Sequence, residues 1–340
     1  MTAAPAAAPT LDVVIVGGGP AGMAAAIAAK HAGLSYVVLE QGALVNSLMH
    51  YPADMVFFTT PDLLEIGGLP FVSPHEKPTR QEALKYYRRV ADTFALDIRF
   101  DEPVRSLVRQ ADGTFVVGSA PKSGAPLTRM ARTVVVASGA YDLPNRLGVP
   151  GEDLGHVSHF YREPHAHYRR RVVIVGGKNS AAEAALDLYR NGAASVTLVH
   201  RHAALGDSIK YWVKPDIENR IKEGSVQARF STVIAEITPT HVHVTGPAGR
   251  ESLPADFVYL LTGYRSDTAL LRSVGAVVDD ATGAPALNEA TFESTVPGLF
   301  VIGAAVAGKQ SGKIFIENGR FHGEVAITAI ESRLASSRPR

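Results

Sequence analysis

The hydrophobic pattern near the start of the chain predicts a strand, a helix and a second strand. Residues 13–16 are four β-branched residues in a row, which is typical of a strand buried on both faces of a sheet. Residues 23–30 are rich in strong helix formers, and Gly33 is placed to end that helix. Residues 36–39 are apolar again, so this part of the chain is expected to form a β-α-β unit.

The same pattern returns in the middle of the chain. Residues 172–175 predict another buried strand, residues 182–189 a helix that Gly192 ends, and residues 196–199 the next strand. A chain of 340 residues is too long for a single core. The sequence therefore predicts an α/β fold with two Rossmann-like dinucleotide-binding domains.

Shorter apolar runs predict the connecting elements. An amphipathic helix is expected over residues 80–95, and a helix from about Ile314 that follows a strand tipped by Gly303. The strands expected before residue 138 predict an inserted β-meander. In residues 41–60 polar and aromatic residues alternate, which predicts a long loop packed against a ligand. A small apolar cluster under that loop is the alternative explanation for Phe57 and Phe58. Expected strands lie at residues 98–100, 104–108, 115–117, 133–137 and 296–304, with others within 229–244 and 252–261.

A glycine motif follows the first predicted strand. Gly17, Gly19 and Gly22 form G-x-G-x-x-G at the start of the predicted helix. In a dinucleotide site the first glycine allows the tight turn, the second lets the backbone approach a pyrophosphate, and the third lets helix and strand pack closely. The helix N-terminus then holds the phosphates. Glu40 ends the second strand, where a carboxylate is expected to bind a ribose hydroxyl.

The second motif is altered. Gly176 retains the first position, Lys178 replaces the second glycine, and Ala181 replaces the third. Alanine at the third position is an ordinary variant. Lys178 is unusual there, and its ammonium group is long enough to reach the phosphates itself.

The two units end on opposite charges. Glu40 closes the first, whereas His200, Arg201 and His202 close the second. An acidic residue at this position selects a free 2′-hydroxyl, and basic residues accommodate a 2′-phosphate. The first site therefore suits FAD or NAD and the second NADPH, with a solvated basic turn as the alternative for the second.

Composition narrows the class of protein. Lys and Arg number 34 against 33 Asp and Glu, a net charge of +1, and no basic run favours nucleic acid as a partner. Because no stretch approaches eighteen consecutive apolar residues, no membrane span is expected. The first ten residues lack a positive segment and are read as a loose tail, like the residues after Leu334, so a cytoplasmic protein is expected. The cysteine count is zero, which excludes a disulfide, a thiolate metal site and a C-x-x-C redox pair within the chain.

These motifs resemble the flavoprotein disulfide reductases that bind two dinucleotides, in their short thioredoxin-reductase-like branch. The residues that carry this resemblance are 17–22 with Glu40, 137–139, 176–181 with His200 and Arg201, and 298–303. More narrowly, the chain resembles the bacillithiol disulfide reductases. That resemblance rests on Asn46, Ser47, Tyr51, Pro52, Phe57, Phe58, residues 66–67, 70–71, 176–181 and 208–210, Trp212, and residues 315–319 and 321–323.

The resemblance implies where the cofactors bind. It implies an FAD-binding domain formed by residues 1–145 and 266–340, with an NADPH-binding domain, residues 146–265, inserted in it. His50, Tyr51, Glu317 and His322 are expected near the flavin, with no acid or base role assigned to any of them. The implied cofactor-binding residues are Gly17, Gly19, Pro20, Ala21, Gly22, Glu40, Gln41, Asn46, Ser47, Val104, Ser138, Gly139, Gly303, Ala304, Ile314 and Phe315 for FAD, and Gly176, Lys178, Asn179, Ser180, Ala181, His200, Arg201 and His202 for NADPH.

The chain departs from the family at two positions. Members of the bacillithiol branch typically carry a cysteine at the position of Ala21, and the wider family has an aspartate at the position of Ala304. The loop cysteine is the family's candidate for attacking a disulfide. Reduction of a disulfide by a thiol relay is therefore excluded for this chain acting alone.

Three functions remain open. In the first, hydride passes from NADPH to FAD and on to a bacillithiol-type disulfide or a bacilliredoxin. In the second, a ferredoxin–NADP reductase or diaphorase, the electrons go to ferredoxin, flavodoxin, a quinone or ferric iron. In the third, the protein is an FAD-binding redox sensor or partner protein without enzymatic activity. A homo-oligomer, dimer or tetramer, is expected in each case.

Overall fold

The computed structural model describes residues 9–336. Most of the two predicted tails therefore lies outside the described residues. The strands are β1 Leu11–Val16, β2 Tyr36–Leu39, β3 Ile98–Arg99, β4 Val104–Arg109, β5 Phe115–Ser119, β6 Leu127–Val136, β7 Leu143–Pro144, β8 Val157–Ser158, β9 Arg171–Val175, β10 Ser195–Val199, β11 Gln227–Arg229, β12 Val233–Ile237, β13 His241–Gly246, β14 Gly249–Pro254, β15 Phe257–Leu260, β16 Tyr264–Arg265 and β17 Leu299–Val301. The helices are α1 Pro20–His31, α2 Asn46–Met49, α3 Arg80–Thr93, α4 Asn179–Arg190, α5 Lys214–Lys222, α6 Ala269–Ser273, α7 Ile316–Gly319 and α8 His322–Ser336, with 3₁₀ turns at Pro61–Leu64, His165–His167, Gly303–Ala307 and Ser311–Lys313.

The chain divides into two compact units. Unit 1 contains the residues up to Met49, Thr59–Leu143, and the residues from Tyr264 onward. Unit 2 contains Pro144–Gly263 together with His50–Phe58. The short segment His50–Phe58 thus groups with unit 2, although the sequence-based boundaries assigned it to the first domain. Its backbone is held there by a hydrogen bond from the Ala53 N–H to the Arg162 carbonyl, 2.9 Å long.

Unit 1 is built on a mixed sheet with the strand order β3-β2-β1-β6-β5-β4, and β17 pairs with β6. The second half of β6 runs parallel to β1, and its first half runs antiparallel to β5. The predicted meander is present as β4-β5-β6, and its ten-residue third strand also belongs to the parallel part of the sheet. The β-branched run of β1 is fully buried, as expected for a central parallel strand.

Two helices of unit 1 pack closely against each other. The buried side of α1 contains three alanines, Ala25, Ala26 and Ala29, which are fully buried, together with Gly22, Met23 and Ile27. A Cβ atom built on Gly323 of α8 would lie 2.5 Å from the Ala25 backbone nitrogen. Glycine is therefore required where α8 crosses α1, and this contact supports the glycine loop that precedes α1.

Unit 2 repeats the parallel arrangement with the strand order β11-β10-β9-β15-β8, and β12-β13-β14 form a separate antiparallel sheet. Helix α4 follows β9 and buries its alanine and leucine face against the strands. Gly192 adopts a φ of +80° after α4, as a glycine that ends a helix does. The second β-α-β unit predicted from the sequence is present.

The segment after β17 differs from the prediction. No continuous helix begins near Ile314. Instead, the 3₁₀ turns Gly303–Ala307 and Ser311–Lys313 precede the short helix α7, and α8 begins only at His322. In residues 9–336 no helix is long and apolar enough to cross a membrane. Within the same range no group of three or more His, Asp or Glu side chains is arranged to hold a metal ion.

Candidate dinucleotide-binding sites

The first glycine loop has the geometry that its motif predicts. Gly17 has a φ of +109°, and a Cβ atom there would lie 2.5 Å from the Ala137 carbonyl oxygen. A Cβ on Gly22 would overlap the Gly17 carbonyl oxygen. By contrast, no described atom lies within 4 Å of a Cβ built on Gly19. The first and third glycines are thus required by the fold itself, and the second faces open space, where a pyrophosphate would approach.

Glu40 is buried at the end of β2 and lies against the same loop. Its Oε2 accepts the Gly18 N–H at 2.7 Å, and its Oε1 accepts the Gly42 N–H at 2.9 Å. Burial raises the pKa of Glu40, and the two backbone hydrogen bonds act in the opposite direction. Each carboxylate oxygen keeps a further lone pair, so the group can still accept from a ribose hydroxyl.

Ser138 and Gly139 follow β6 on the other side of the loop. The Ser138 Oγ is buried and has no hydrogen-bond partner among the described residues. Gly139 has a φ of +73°, and a Cβ there would meet no described atom within 4 Å. A buried unpaired hydroxyl beside an open cradle fits a polar ligand held at this strand end.

The tip of β17 closes this site. Gly303 has a φ of +63°, and its N–H donates to the His322 Nδ1 at 3.2 Å. The ring of His322 stacks on Phe292 at 4.1 Å between centroids, and burial lowers the pKa of His322. A Cβ on Gly303 would lie 2.7 Å from the Ala21 Cβ. The His322 ring therefore holds Gly303 against the first glycine loop and the start of α1.

Sequence reasoning missed the residues that shape the segment after Glu40. Val45 has a φ of +48°, which is an outlier for a β-branched residue, and its N–H donates to the Gly18 carbonyl at 3.2 Å. Arg80 donates from Nε to the Leu48 carbonyl at 2.9 Å and from Nη2 to the Met49 carbonyl at 2.5 Å. Arg80 lies more than thirty residues from these carbonyls, so no local sequence signal indicates the contact.

The remaining residues expected to bind FAD occupy varied positions in unit 1. The Gln41 side chain is exposed and donates to Asp142 Oδ2 at 2.6 Å. The Asn46 Oδ1 accepts the Ala43 N–H at 3.4 Å. Phe315 is exposed, and its N–H donates to the Asn318 Oδ1 at 2.8 Å. Half-buried positions are held by Pro20, Ser47, Val104, Ala304 and Ile314.

The four residues expected near the flavin are divided between the units. Glu317 and His322 lie in unit 1, whereas His50 and Tyr51 lie in the segment that groups with unit 2.

The glycine loop of unit 2 repeats the geometry of unit 1 with a different partner. Gly176 has a φ of +154°, and a Cβ there would lie 2.6 Å from the Leu261 carbonyl oxygen. A Cβ on Gly177 would overlap the His200 ring, just as one on Gly18 would press on Glu40. His200 and Glu40 thus occupy equivalent positions. Burial lowers the pKa of His200, with His202 and Arg201 adding to the effect.

The charged groups around this loop are accessible. Lys178 precedes α4 in an extended conformation and is exposed, as are Ser180 and Arg201. The exposed His202 lies close to Arg201 and His200. Its Nε2 accepts a hydrogen bond from the Arg201 Nε at 3.1 Å, and its ring centroid lies 5.1 Å from that of His200. Since burial lowers the pKa of His200, the charged side chains around this loop that a 2′-phosphate could contact are Lys178 and Arg201.

Asn179 connects the glycine loop of unit 2 to the segment His50–Phe58. Its Oδ1 accepts the Lys210 N–H at 2.8 Å, and its Nδ2 donates to the Ser208 carbonyl at 3.1 Å. The Lys210 side chain is buried, is paired with Glu183, and donates from Nζ to the Val56 carbonyl at 3.0 Å. Asn179 therefore has a structural role that the sequence motif did not indicate.

Comparison with known proteins agrees with this geometry. Bacilliredoxin reductase Bdr of Bacillus subtilis is 39% identical over 321 residues, which cover 94% of this chain and 97% of that protein. The structure of the bacillithiol disulfide reductase Bdr of Bacillus cereus matches with a TM-score of 0.93 and 37% identity, over 96% of this chain and all of the other. A ferredoxin–NADP reductase of Bacillus licheniformis is more distant, 27% identical over 94% of this chain and 88% of its own length.

These similarities confirm the fold and the resemblance inferred from the sequence. The sequence model of the pyridine nucleotide-disulphide oxidoreductase family matches residues 14–303, a range that contains both glycine loops. The match implies an oxidoreductase that uses FAD and NADPH. The chain belongs to the pyridine nucleotide-disulphide oxidoreductase family.

Proposed function

We propose that the protein passes hydride from NADPH to FAD and then reduces a bacillithiol-type disulfide, either the free disulfide or a bacilliredoxin. The observation that carries this proposal is the similarity to Bdr proteins over nearly the whole chain, at 37–39% identity. The two glycine loops support it, because a different residue lies against each of them. Glu40, against the first loop, suits the free ribose hydroxyl of FAD, and His200, against the second, begins the basic turn that suits the 2′-phosphate of NADPH.

We assign FAD to unit 1. Gly19 leaves the space for the pyrophosphate, the N-terminus of α1 points N–H groups at it, and Glu40 accepts from the adenosine ribose. Ser138, which follows β6, offers its unpaired hydroxyl at the same edge of the sheet. His322 keeps the Gly303 turn in place, so the loop is preorganised for the cofactor.

We assign NADPH to unit 2. Lys178 and Arg201 bind its 2′-phosphate, and the half-buried ring of His200 packs on the Gly177 backbone. Asn179 orients the loop through its two hydrogen bonds to residues 208–210.

The chemistry has to proceed without a thiol of this chain. Bound FAD supplies a two-electron carrier that accepts hydride and returns electrons to the acceptor. The overall reaction consumes NADPH, one proton and one disulfide and yields NADP⁺ and two thiols. Since the chain contains no cysteine, electrons reach the disulfide directly from the cofactor or through thiols of a partner.

Transfer to a ferredoxin is the second candidate. The observation that favours it is the 27% identity to a ferredoxin–NADP reductase, combined with the absence of cysteine from the sequence. Ferredoxin needs electrons singly and requires no thiol, so the same binding residues would serve.

A half-reaction experiment separates the two candidates. The flavin is reduced anaerobically with NADPH, and its reoxidation is timed with bacillithiol disulfide, an oxidised bacilliredoxin, ferredoxin and a quinone in parallel. Reoxidation by a sulfur acceptor is expected to be faster than reoxidation by ferredoxin or the quinone. Fast reoxidation by ferredoxin, with both sulfur acceptors inert, would replace the first candidate by the second.

A further inference from the structure

The side chain of Lys210 is a buried charge in unit 2. Only 8% of it is exposed, and its ammonium group is paired with Glu183 of α4. Lysine is almost never buried to this extent unless it is paired, because removing an ammonium group from water is costly. Replacing a buried ion pair by apolar residues of similar volume is often neutral or stabilising. Stability alone therefore gives no reason for a charge at this position.

Three groups of the described chain surround the Lys210 ammonium group, which has three donors. It donates to the Glu183 carboxylate, and to the Val56 carbonyl at 3.0 Å. Its nitrogen also lies 5.7 Å from the centre of the Trp212 ring, within the range of a cation–π interaction. Hydrogen bonds are directional, whereas apolar contacts are not. The Lys210 side chain therefore specifies how Glu183 and Val56 are placed relative to each other.

The backbone next to this side chain is fastened to the second glycine loop. The Lys210 N–H donates to the Asn179 Oδ1 at 2.8 Å. The Gly206 N–H donates to the Gly177 carbonyl, also at 2.8 Å. The stretch from Gly206 to Lys210 is therefore held against the loop at both of its ends.

Lys210 contacts one face of α4, at the start of the helix. Asn179 is the first residue of α4 and Glu183 is the fifth, and side chains four positions apart lie on the same side of a helix. Asn179 accepts from the backbone of Lys210, and Glu183 accepts from its side chain. Lys210 therefore spans the first turn of α4, and the free N–H groups of such a turn are those that hold the pyrophosphate in a dinucleotide site.

We propose that Lys210 is a positioning residue for NADPH. Its ion pair with Glu183 and its backbone hydrogen bond to Asn179 fix the first turn of α4, and with it the glycine loop, in the orientation that binds the cofactor. Its hydrogen bond to the Val56 carbonyl fixes the same arrangement to the segment His50–Phe58, which belongs to unit 2. This rests on the proposed function, in its assignment of NADPH to unit 2.

The proposal makes a distinction between the two nicotinamide nucleotides. The ammonium group of Lys210 is buried and already paired, so it acts through the loop and not by contact with the 2′-phosphate. Loss of the side chain should therefore weaken NADPH and NADH by the same factor. Loss of a residue that binds the 2′-phosphate weakens NADPH alone.

The first test compares Lys210→Met with Lys214→Met, which removes the same charge from the same stretch. Lys214 pairs with the exposed Asp207 at 2.7 Å. Flavin reduction by each nucleotide is followed by stopped flow in the holoproteins. In Lys210→Met the nucleotide concentration that gives half the maximal rate should rise about tenfold for both nucleotides, while the maximal rate changes less. A rise confined to NADPH, or an equal rise in Lys214→Met, would overturn the proposal, since either is an effect of charge on the phosphate.

A second readout requires no turnover. The dissociation constant of NADP⁺ is measured by calorimetry on the oxidised holoproteins, and it should be about tenfold higher in Lys210→Met than in the wild type and Lys214→Met. In an Asn179→Ala background the same substitution should add little, because the lysine acts through Asn179. Fully additive losses in the double variant would overturn that route.

A paired substitution keeps the test valid if Lys210→Met does not fold. Lys210→Met/Glu183→Leu replaces the ion pair by apolar side chains, so no carboxylate is left without its partner. Its affinity for NADP⁺ should still be reduced, and wild-type affinity would overturn the proposal.

Failure of the proposed function and failure of this inference give different results. A wild type that binds no NADP⁺ refutes the assignment of NADPH to unit 2, and the role of Lys210 with it. A wild type that binds NADP⁺ no better than Lys210→Met refutes the role of Lys210 alone. If the nucleotide effects are as expected but no disulfide is reduced, the acceptor is wrong and Lys210 remains a positioning residue.

Discussion

The side chain of Ala21 lies against Gly303, so that a Cβ atom on Gly303 would approach the Ala21 Cβ to 2.7 Å. Ala21 is the second residue of α1, directly after the first glycine loop, and Gly303 is the first residue of the 3₁₀ turn that follows β17. The bacillithiol reductases typically carry a cysteine at the position of Ala21. In this chain alanine occupies the position at which the resemblance to those reductases implies a cysteine.

Ala21→Cys is expected to create a disulfide reductase with a faster acceptor step. Position 21 is half-buried beside a helix N-terminus, which stabilises a thiolate, and the added sulfur can point away from Gly303 with little strain. Turnover of bacillithiol disulfide should rise at least tenfold, and ferricyanide reduction should stay the same. Ala28→Cys, two turns along the same helix, is the control and should gain nothing. A wild type that already matches the variant would mean that the cofactor reduces the disulfide directly at full rate.

Gly19→Ala and Gly22→Ala should fail in different ways. A Cβ on Gly19 meets no described atom within 4 Å, so the apoprotein should lose less than about 1 kcal/mol of stability. Its affinity for FAD should nevertheless fall at least tenfold, because the methyl group enters the space of the pyrophosphate. A Cβ on Gly22 overlaps the Gly17 carbonyl, so this variant should be destabilised by about 1–3 kcal/mol even without cofactor. Chemical unfolding of the apoproteins and FAD titration distinguish the two. Full flavin occupancy in Gly19→Ala is the result that contradicts the FAD assignment.

Arg201→Ala is expected to abolish most of a preference for NADPH over NADH. A charge-assisted hydrogen bond to a phosphate contributes roughly 1.5–3 kcal/mol, or about a ten- to hundredfold preference. The rate of flavin reduction by each nucleotide, measured by stopped flow, gives the ratio. Arg250→Ala, an exposed arginine of the same unit, is the control. Retention of the wild-type ratio in Arg201→Ala would leave the basic turn as a solvated loop.

Unfolding of the protein should become easier on acidification through a buried histidine of unit 2. His167 is buried, its Nε2 lies 2.7 Å from the Tyr259 hydroxyl, and burial lowers its pKa. The unfolded chain therefore binds the proton first, near pH 6.5. The contribution of His167 to stability should be constant above that range, fall as the pH drops through it, and level off below the pKa of the folded state.

His167→Gln keeps a partner for Tyr259 but does not titrate. Urea midpoints at pH 8 and pH 5.5 should therefore differ less in this variant than in the wild type. His165→Gln, at an exposed position two residues earlier, should retain the wild-type difference. If both variants show the same pH dependence as the wild type, the acid sensitivity originates elsewhere.

The amino-acid sequence alone determines the two β-α-β units and their likeness to a known family. Each unit is encoded by local sequence: a run of β-branched residues, a glycine turn and an alanine-rich helix. A strand buried on both faces needs a continuous apolar run, and a turn with φ > 0 needs glycine, so both can be recognised from the sequence. The position of Glu40 and of His200 at the ends of second strands also follows from local order, since a parallel β-α-β unit returns each strand end to the glycine loop.

Only the tertiary structure decides which distant groups meet. Three contacts join segments that lie far apart in the chain. Gly303 lies against Ala21, Arg80 donates a hydrogen bond to the Leu48 carbonyl, and Lys210 donates one to the Val56 carbonyl. Hydrophobic periodicity reports which face of an element is buried but not which element covers it. For the same reason the apolar segment after Gly303 predicted one helix, whereas close packing of Gly319 on Gly303 and of Gly323 on α1 divides it into turns and two helices.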